Sequence, residues 1–411
     1  MEFTDSRYGE LITELFGKHP SVQNAGFTAG AYKPGIEAMC AFDDALGHPW
    51  KLYPCIHVAG TNGKGSVCSM LAAALSARGL RVGLYTSPHL RDFRERMKIV
   101  SGGRFSCISR GEVWDFLQSA PTDGLSFFEI TTGMAFRWFA DKKVDIAVIE
   151  VGLGGRLDST NIITPALSIV TSIGLDHCAL LGGSRAEIAA EKAGIFKKGI
   201  PALVWGHDSE TDPVFEGAAT RAGAVLHYAE PCTAISGMDL KGPCQGVNLG
   251  TVLSALRLLQ GEVSDAQKDA ICRAGAITGL HGRWETLCRQ PLTIADIGHN
   301  PQALAANFSK LKGYGRPLSI VYGVMADKDL PGIAPLFPTD ARYYLCAPAT
   351  SRAMGAEELL RRLQELRPEL DLRACNSVKE AVEAATGEAA PDTIVYIGGS
   401  TFVVSEAPFA L

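Results

Sequence analysis

The sequence lacks the features that would place the protein in a membrane or on a nucleic acid. No apolar run approaches the roughly 20 residues that a membrane span needs. The first residues, Met1 to Asp5, carry no positive leader with an apolar segment after it, so we expect no secretory signal. There is no basic run, and the formal net charge is -5 at pH 7. We therefore expect neither a nucleic-acid partner nor binding to an anionic membrane surface.

Paired cysteines are also absent. The 11 cysteines are scattered singly, without a Cys-x-x-Cys pair, which excludes zinc and thioredoxin-like signatures. Cys55, Cys68 and Cys346 lie in apolar strand or helix patterns, as buried packing residues do. Reduced thiols are typical of a cytoplasmic enzyme, and we expect that location.

What is present predicts an α/β protein of two domains. The chain has 411 residues, of which 46% are hydrophobic and 20% charged. A helical lead-in covers about the first 50 residues, and strands and helices then alternate until an irregular stretch at 279–291. The alternation restarts at Leu292. We predict a P-loop parallel-sheet ATPase domain at 1–287 and a smaller doubly wound, Rossmann-like domain at 288–411.

A glycine-rich stretch joins a predicted strand, Pro54 to Val58, to a predicted helix, Ser66 to Arg78. Backbone N–H groups and the helix dipole favour an anion there. Lys64 adds a charge, and Ser66 adds a hydroxyl suited to Mg²⁺. The stretch predicts a nucleotide phosphate loop, although Gly65 separates Lys64 from Ser66 and a plain glycine-rich turn is the alternative. The predicted loop residues are Gly60, Thr61, Asn62, Gly63, Lys64, Gly65 and Ser66.

Polar residues follow several predicted strands at their carboxyl ends, where ligands of parallel sheets bind. Ser87 follows the strand at 81–85, and Glu150 ends the strand at 145–150. Glu150 is in the expected place for a Mg²⁺ ligand, the alternative being a carboxylate that caps the following glycines. His177 follows the strand at 166–170 beside Asp176, and both a ligand role and a structural role stay open. Lys192 lies on a helix that begins with a Ser184–Glu187 capping box, where a lysine is normally a solvated charge.

Together these motifs resemble one family. The segments that carry the resemblance are Ala59 to Ser66, Thr86 to Leu90, Glu150 to Asp158, Leu175 to His177 and Glu191 to Ile195. They look like folylpolyglutamate synthase/dihydrofolate synthase, a branch of the Mur ligases. The resemblance runs from about Ala31 to Glu406, and these motifs in this order are highly specific.

The resemblance implies an ATP-dependent ligase that forms an amide bond. It implies that residues 60–66 bind the triphosphate, with further ATP contacts from Asn248, Arg283 and Asp296. His299 matches the family's second-domain signature, and we include it among the nucleotide-binding residues.

The family also implies two Mg²⁺ ions, for which Ser87, Glu150 and His177 match the ligands. Lys192 matches a family lysine that is carbamylated and lies near the second metal, contrary to the solvated-charge interpretation. Lys64, His177 and Lys192 form the predicted catalytic set.

The predicted pterin-binding residues rest on three further matches to the family. The segment Ser126 to Glu129 resembles the lining of the family's pteroate pocket, and we expect Leu157, Asp158 and Ser159 close to it. Tyr32 and Lys33 occupy the place of the loop associated with dihydropteroate binding, but that loop departs from its commonest form. The predicted substrate residues are Tyr32, Lys33, Ser126, Phe128, Leu157, Asp158 and Ser159.

The sequence leaves three functions to compare. The first adds L-glutamate to dihydropteroate, to folate γ-carboxylates or to both, through an acyl phosphate, and yields ADP and phosphate. The second is a Mur-type ligase that acts on a UDP-linked cell-wall precursor, for which the first 50 residues look too few and too helical. The third is a nucleotide-gated scaffold, which the intact Lys64, Ser87, Glu150 and His177 oppose. We expect small-molecule substrates, namely ATP, L-glutamate and dihydropteroate or reduced folates, and a monomeric protein.

Overall fold

The computed structural model of the chain describes residues 4–19, 21–22, 26, 33, 35–233 and 237–408. The chain divides into two compact units, Met1–Asp239 with Gln245–Leu280, and Leu240–Cys244 with His281–Leu411. The division lies before the predicted boundary between residues 287 and 288. That boundary would cut a strand, Glu285–Arg289, which pairs with Leu292–Ala295 of the second unit.

The first unit is built on an eight-stranded sheet in the order β4-β3-β2-β5-β1-β6-β7-β8. From β2 to β8 in that order the strands are parallel, and β3 and β4 extend the sheet antiparallel. The strands are β1 (Cys55–Ala59), β2 (Val82–Tyr85), β3 (Met97–Ser101), β4 (Arg104–Cys107), β5 (Ile146–Glu150), β6 (Leu167–Val170), β7 (Pro201–Val204) and β8 (Val225–Tyr228).

The helices of the first unit pack around this sheet. They are α1 (Asp5–Lys18), α2 (Glu37–Leu46), α3 (Lys64–Ser76), α4 (Arg110–Ser119), α5 (Phe127–Asp141), α6 (Cys178–Leu181), α7 (Arg185–Ala193), α8 (Asp212–Ala222), α9 (Gln245–Gln260), α10 (Asp265–Cys272) and α11 (Ala274–Thr278), with 3₁₀ turns at Pro49–Leu52, Phe93–Arg96 and Ser159–Ile162. α3 is apolar on all sides and is buried over residues 65–76, so it is a core helix of this unit.

Among the described residues, two hydrophobic clusters support the first unit. One includes Met39, Tyr85, Phe136 and Phe139, and the other includes Val170, Ile188 and Phe215. Capping boxes fix several helix starts, including the predicted box of Ser184 and Glu187 at α7. Ser126 and Glu129 form another capping box at α5. The predicted pterin segment, Ser126 to Glu129, is therefore the first turn of this helix.

The second unit contains a six-stranded sheet in the order β13-β12-β11-β14-β10-β9. All neighbours are parallel except β9 and β10. The strands are β9 (Glu285–Arg289), β10 (Leu292–Ala295), β11 (Leu318–Tyr322), β12 (Ala341–Leu345), β13 (Asp371–Ala374) and β14 (Ile394–Gly398). The helices are α12 (Pro301–Lys312), α13 (Leu330–Ile333), α14 (Ala356–Leu366), α15 (Val378–Gly387) and α16 (Thr401–Glu406), with a 3₁₀ turn at Ala334–Leu336.

The predicted fold class is confirmed: a larger α/β unit with a parallel sheet and a phosphate-type loop precedes a smaller, mostly parallel α/β unit. Helices α1 and α2 occupy the predicted helical lead-in. Within the described ranges, no helix has both the length and the hydropathy to cross a membrane.

Candidate active site

Four parallel neighbours of the first sheet bring four of the predicted site segments to one edge. The order β2-β5-β1-β6 sets their carboxyl ends side by side. Ser87 follows β2, Glu150 ends β5, the loop at 60–63 follows β1, and His177 follows β6. Because parallel strands present their carboxyl ends to the same edge, the segments that follow these four strands leave the sheet at one edge.

The loop between β1 and α3 needs glycine at two positions. Gly60 has φ of 149° and Gly63 has φ of 89°, both in the region that glycine favours. A Cβ on Gly60 would come 1.7 Å from Oγ1 of Thr171, and one on Gly63 would come 2.3 Å from Oδ1 of Asn248. The close approach of neighbouring side chains therefore leaves no room for a larger residue.

Lys64 is the first residue of α3, and its amine folds back over the loop. Its Nζ donates hydrogen bonds to the carbonyl oxygens of Gly60 at 3.1 Å and Thr61 at 3.3 Å. The ammonium charge and the N-terminus of α3 therefore lie at the same end of the loop, as phosphate binding requires.

The segment after β6 anchors the loop. The backbone N–H of Thr61 donates to the carbonyl of Ser172 at 2.8 Å, and the hydroxyl of Thr171 donates to the carbonyl of Asn62 at 2.8 Å. The sequence interpretation did not include Thr171 or Ser172 in the site. The available signal was their position directly after a parallel strand.

Behind the loop, Ser66 and two side chains of α9 form a buried chain. Nε2 of Gln245 donates to Oγ of Ser66 at 3.4 Å, and Nδ2 of Asn248 donates to Oε1 of Gln245 at 3.0 Å. Each of the three is at most 5% exposed. Asn248 was predicted to contact ATP, whereas Gln245 was missed, although i and i+3 residues share a helix face.

Ser87 and Glu150 are in direct contact. The backbone N–H of Ser87 donates to Oε2 of Glu150 at 3.2 Å, and Glu150 is 3% exposed. A buried carboxylate and a hydroxyl on adjacent strand ends supply the oxygen ligands that Mg²⁺ or Mn²⁺ takes, so these residues fit a divalent ion.

His177 has φ of 54° and immediately precedes α6, and its backbone N–H donates to Oδ1 of Asp176 at 3.0 Å. Its part in metal binding stays a prediction.

Lys192 is buried and not a solvated charge. It is 4% exposed, near the C-terminus of α7. The pKa of its amine is lowered from 10.5 to about 7, chiefly by burial and next by the charge of Lys64, while Asp176 and Asp158 act in the opposite direction. Near neutral pH, a large share of this amine is therefore uncharged.

The predicted substrate residues of the first unit lie on two elements, the start of α5 and the turn after β5. Ser126 caps α5. The ring of Phe128 lies close to Gly152: a Cβ added to Gly152 would come 2.4 Å from Cζ of Phe128. The turn after β5 contains Leu157, Asp158 and Ser159, and Asp158 caps the 3₁₀ turn at Ser159–Ile162. The fold thus brings Phe128 to the start of this turn.

Two predicted substrate residues, Tyr32 and Lys33, belong to the lead-in. Tyr32 lies outside the described residues. Nζ of Lys33 donates to the carbonyl of Gly124 at 2.6 Å, two residues before Ser126. This contact ties the lead-in to the segment that begins α5.

Arg283, Asp296 and His299 belong to the second unit. Asp296 is 7% exposed and accepts hydrogen bonds from the backbone N–H groups of Trp284 and Gly298 and from Nδ2 of Asn307, at 2.8–2.9 Å. Nδ1 of His299 donates to the carbonyl of Ile297 at 3.1 Å, and Nη1 of Arg283 donates to the carbonyl of Gly282 at 3.3 Å. The carboxylate of Asp296 organises its own loop, and ATP contacts by these three residues stay predictions.

A cavity of about 480 Å³ lies away from these groups. Its lining includes Arg81, Arg104 and Lys142, which are near the amino ends of the parallel strands β2 and β5 or at the sheet edge. None of the predicted site residues lines it.

Comparison with protein families gives two matches. Residues 58–234 match the family described as Mur ligase middle domain, and residues 282–401 match the family described as Mur ligase, glutamate ligase domain.

Curated relatives extend the match over most of the chain. The dihydrofolate synthase/folylpolyglutamate synthase of Escherichia coli is 35% identical over 369 residues, which are 85% of this chain and 84% of the relative. A probable bifunctional folylpolyglutamate synthase/dihydropteroate synthase of Halobacterium salinarum is 34% identical over 91% of this chain. The chain spans about half the length of that relative and of a similar one from Haloferax volcanii, 49% and 48%.

Solved structures agree with the sequence relatives. The structure described as E. coli FolC in complex with DHPP and ADP has a TM-score of 0.83 and 31% identity, and the match covers 97% of this chain and 96% of that one. A bifunctional folylpolyglutamate synthase/dihydrofolate synthase with Mn, AMPPNP and L-glutamate bound has a TM-score of 0.81 and 30% identity, with coverage of 97% and 96%.

Proposed function

The chain belongs to the folylpolyglutamate synthase/dihydrofolate synthase family of Mur ligases, and we propose from this membership that it is an ATP-dependent ligase of L-glutamate. Its second substrate would be dihydropteroate, a folate with a free γ-carboxylate, or both. The observation that carries the proposal is the alignment of Ser87, Glu150 and the phosphate loop along one edge of the first sheet. The relatives with ADP, AMPPNP, Mn, DHPP and L-glutamate bound support the same substrates and a divalent ion here.

The reaction needs ATP because a carboxylate and an amine do not condense at neutral pH. An oxygen of the substrate carboxylate attacks the γ-phosphorus, so that an oxygen–phosphorus bond forms and the bond from phosphorus to the β,γ-bridging oxygen breaks. The products of this step are an acyl phosphate and ADP. The amino nitrogen of L-glutamate then attacks the acyl carbon, loses a proton and displaces phosphate.

The first step brings two anions together, so the residues must compensate negative charge. The phosphate loop offers backbone N–H groups and the dipole of α3, and Lys64 adds a full positive charge. Ser87, Glu150 and His177 would hold a divalent ion, which when bound supplies further positive charge to the phosphates. We propose two Mg²⁺ ions, as the family implies.

Lys192 suits carbamylation in this scheme. A neutral lysine amine adds CO₂ to give a carbamate and one proton, and the pKa of about 7 makes that neutral form abundant. The product would be an anion close to Lys64, whose charge disfavours an ammonium at Lys192. The modification would thus prevent an ammonium from forming beside Lys64 and add a potential metal-binding carboxylate.

Phosphate release from ATP is the experiment that tests the function. Purified protein with L-glutamate and Mg²⁺ is given dihydropteroate, tetrahydrofolate or no pteridine, and the glutamylated product is identified by mass. We expect release that depends on both L-glutamate and a pteridine. Release with neither pteridine, but with a UDP-linked peptide precursor, would replace the proposal with the cell-wall ligase, and no release with any acceptor would favour the scaffold. A monomeric state and a cytoplasmic location stay predictions.

A further inference from the structure

A buried chain of hydrogen bonds links the turn after β5 to β1. The hydroxyl of Thr160 is hydrogen bonded to Oδ1 of Asp158, and it lies 2.8 Å from Nε2 of His57. His57 and Thr160 have no exposed surface, and Asp158 is 6% exposed. A polar chain this deeply buried persists only where its members bind one another.

The protons in this chain have a defined direction when Asp158 is ionised. An ionised carboxylate only accepts, so the Thr160 hydroxyl donates to Asp158 and its oxygen accepts from Nε2–H of His57. Burial lowers the pKa of His57 to about 3, so the ring is neutral and carries one N–H. Nδ1 of His57 has no hydrogen-bond partner among the described residues.

His57 is unusual for its position. β1 is buried along its whole length, and apolar side chains are the norm in such central parallel strands. An aliphatic residue would fill the space without burying an unpartnered Nδ1. The bond from Nε2 to Thr160 is the one polar interaction that the ring supplies within the described part of the chain.

At the Asp158 end, these buried hydrogen bonds shape a turn. Asp158 accepts hydrogen bonds from the backbone N–H of Leu153 at 2.9 Å and of Thr160 at 3.0 Å. Its carboxylate therefore closes the segment that carries Leu157 and Ser159. The phosphate loop has separate anchors, since Thr61 and Asn62 bind the segment after β6.

We propose that His57 and Thr160 are positioning residues that hold the turn at Leu157–Ser159 in place for the pteridine substrate. The inference rests on the proposed function, because the substrate role of this turn belongs to that function. Neither residue touches substrate in this scheme: both act through Asp158. Their loss should weaken pteridine binding and leave ATP binding nearly unchanged, because Thr61 and Asn62 keep their own hydrogen bonds to the segment after β6.

The test compares steady-state kinetics of paired variants. Thr160→Val removes the hydroxyl at nearly constant volume, and Thr160→Ser keeps it. His57→Leu removes the ring donor, and His57→Gln keeps an amide N–H at a similar reach. We expect Thr160→Val and His57→Leu to raise KM for the pteridine about tenfold and to change KM for ATP less than about twofold. Thr160→Ser and His57→Gln should restore most of the affinity.

Thr278→Val is the matched control. Thr278 is also fully buried, and its hydroxyl donates to the carbonyl of Ala274 at 2.7 Å in α11. A loss of stability alone would appear in this control as well, whereas a rise in pteridine KM should not. Melting temperatures of all variants separate the two effects, and if Thr160→Val does not fold, the two His57 variants decide.

The outcomes separate this inference from the proposed function. If the wild type ligates L-glutamate but pteridine KM is unchanged in Thr160→Val and His57→Leu, the positioning role is wrong and the function stands. Equal rises of KM for ATP and for the pteridine would also overturn it. A wild type that does not ligate L-glutamate would overturn the function, and this inference with it.

Discussion

The backbone N–H of Ser87 donates a 3.2 Å hydrogen bond to Oε2 of Glu150, which joins the carboxyl ends of two adjacent parallel strands. This bond holds the Glu150 carboxylate at the carboxyl edge of the first sheet, on the strand next to the one that the phosphate loop follows. A buried carboxylate in that place is costly unless it is hydrogen bonded or binds a cation.

Glu150→Gln is therefore expected to weaken metal binding. The amide keeps an oxygen that accepts from Ser87, but it lacks the negative charge that binds Mg²⁺. We expect the Mg²⁺ concentration for half-maximal phosphate release to rise at least about tenfold. Glu216→Gln, an exposed change on α8, is the control. An unchanged Mg²⁺ titration for Glu150→Gln would remove this residue from the metal site.

Lys64→Ala should abolish ligation without unfolding the protein. The side chain is at the first position of α3, and within the described residues it hydrogen bonds only to loop carbonyls, so its removal leaves the core intact. Loss of one preorganised positive group costs at least about 10²-fold in rate. Phosphate release and circular dichroism of Lys64→Ala and of the exposed control Lys198→Ala provide the check. Full turnover by folded Lys64→Ala would refute the phosphate role.

Gly63→Ala tests the fit between the phosphate loop and α9. Gly63 and Gly79 have almost the same φ, 89° and 86°, but a Cβ on Gly63 would come 2.3 Å from Oδ1 of Asn248, whereas nothing lies within 4 Å at Gly79. Both alanine variants bear a backbone cost of about 1–2 kcal/mol. We expect only Gly63→Ala to raise KM for ATP, by about tenfold, because Asn248 must shift and disturb Gln245 and Ser66.

Equal KM values for ATP in Gly63→Ala and Gly79→Ala would mean that the contact with Asn248 does not matter for nucleotide binding. Urea denaturation of both variants measures the shared backbone cost. The comparison thus separates the effect of backbone strain on stability from the effect of the Asn248 contact on ATP binding.

The sequence was informative where local chemistry determines position. Ser87 and Glu150 could be placed because apolar runs mark the buried strands and parallel strands end at one edge. The β3–β4 hairpin was missed, although Gly102 and Gly103, with φ of 58° and 72°, form the two-residue connection that such hairpins favour. β9 was missed because it is partly exposed and has no clear alternation, and the predicted domain boundary therefore fell inside it.

Burial of Lys192 could not be derived from local pattern. It depends on the approach of the turn after β5, where a Cβ on Gly155 would come 2.9 Å from the carbonyl oxygen of Lys192. That contact joins residues far apart in sequence, so helical periodicity alone favoured a solvated lysine. Only the resemblance to the family indicated another role.

Unmodified Lys192 should make stability depend on pH. Its pKa is about 7 in the fold, against 10.5 ordinarily, so between these values the unfolded chain binds a proton that the folded chain does not. The free energy of unfolding therefore rises with pH in this window and falls as pH drops toward 7. Lys192→Met should remove that slope, measured by urea denaturation in CO₂-free buffer. Lys198→Met, at an exposed lysine, should keep it, and an equal slope in wild type and Lys192→Met would contradict the buried amine.

Bicarbonate should change this behaviour, because a carbamate no longer titrates as an amine. We expect native mass spectrometry of the wild type to show one added CO₂ that is absent from Lys192→Ala. Ligation by Lys192→Ala should be lost and partly restored by short carboxylic acids, which can replace the carbamate anion. Activity of Lys192→Ala that does not respond to such acids, together with an unmodified wild-type mass, would contradict carbamylation while leaving the ligase reaction itself intact.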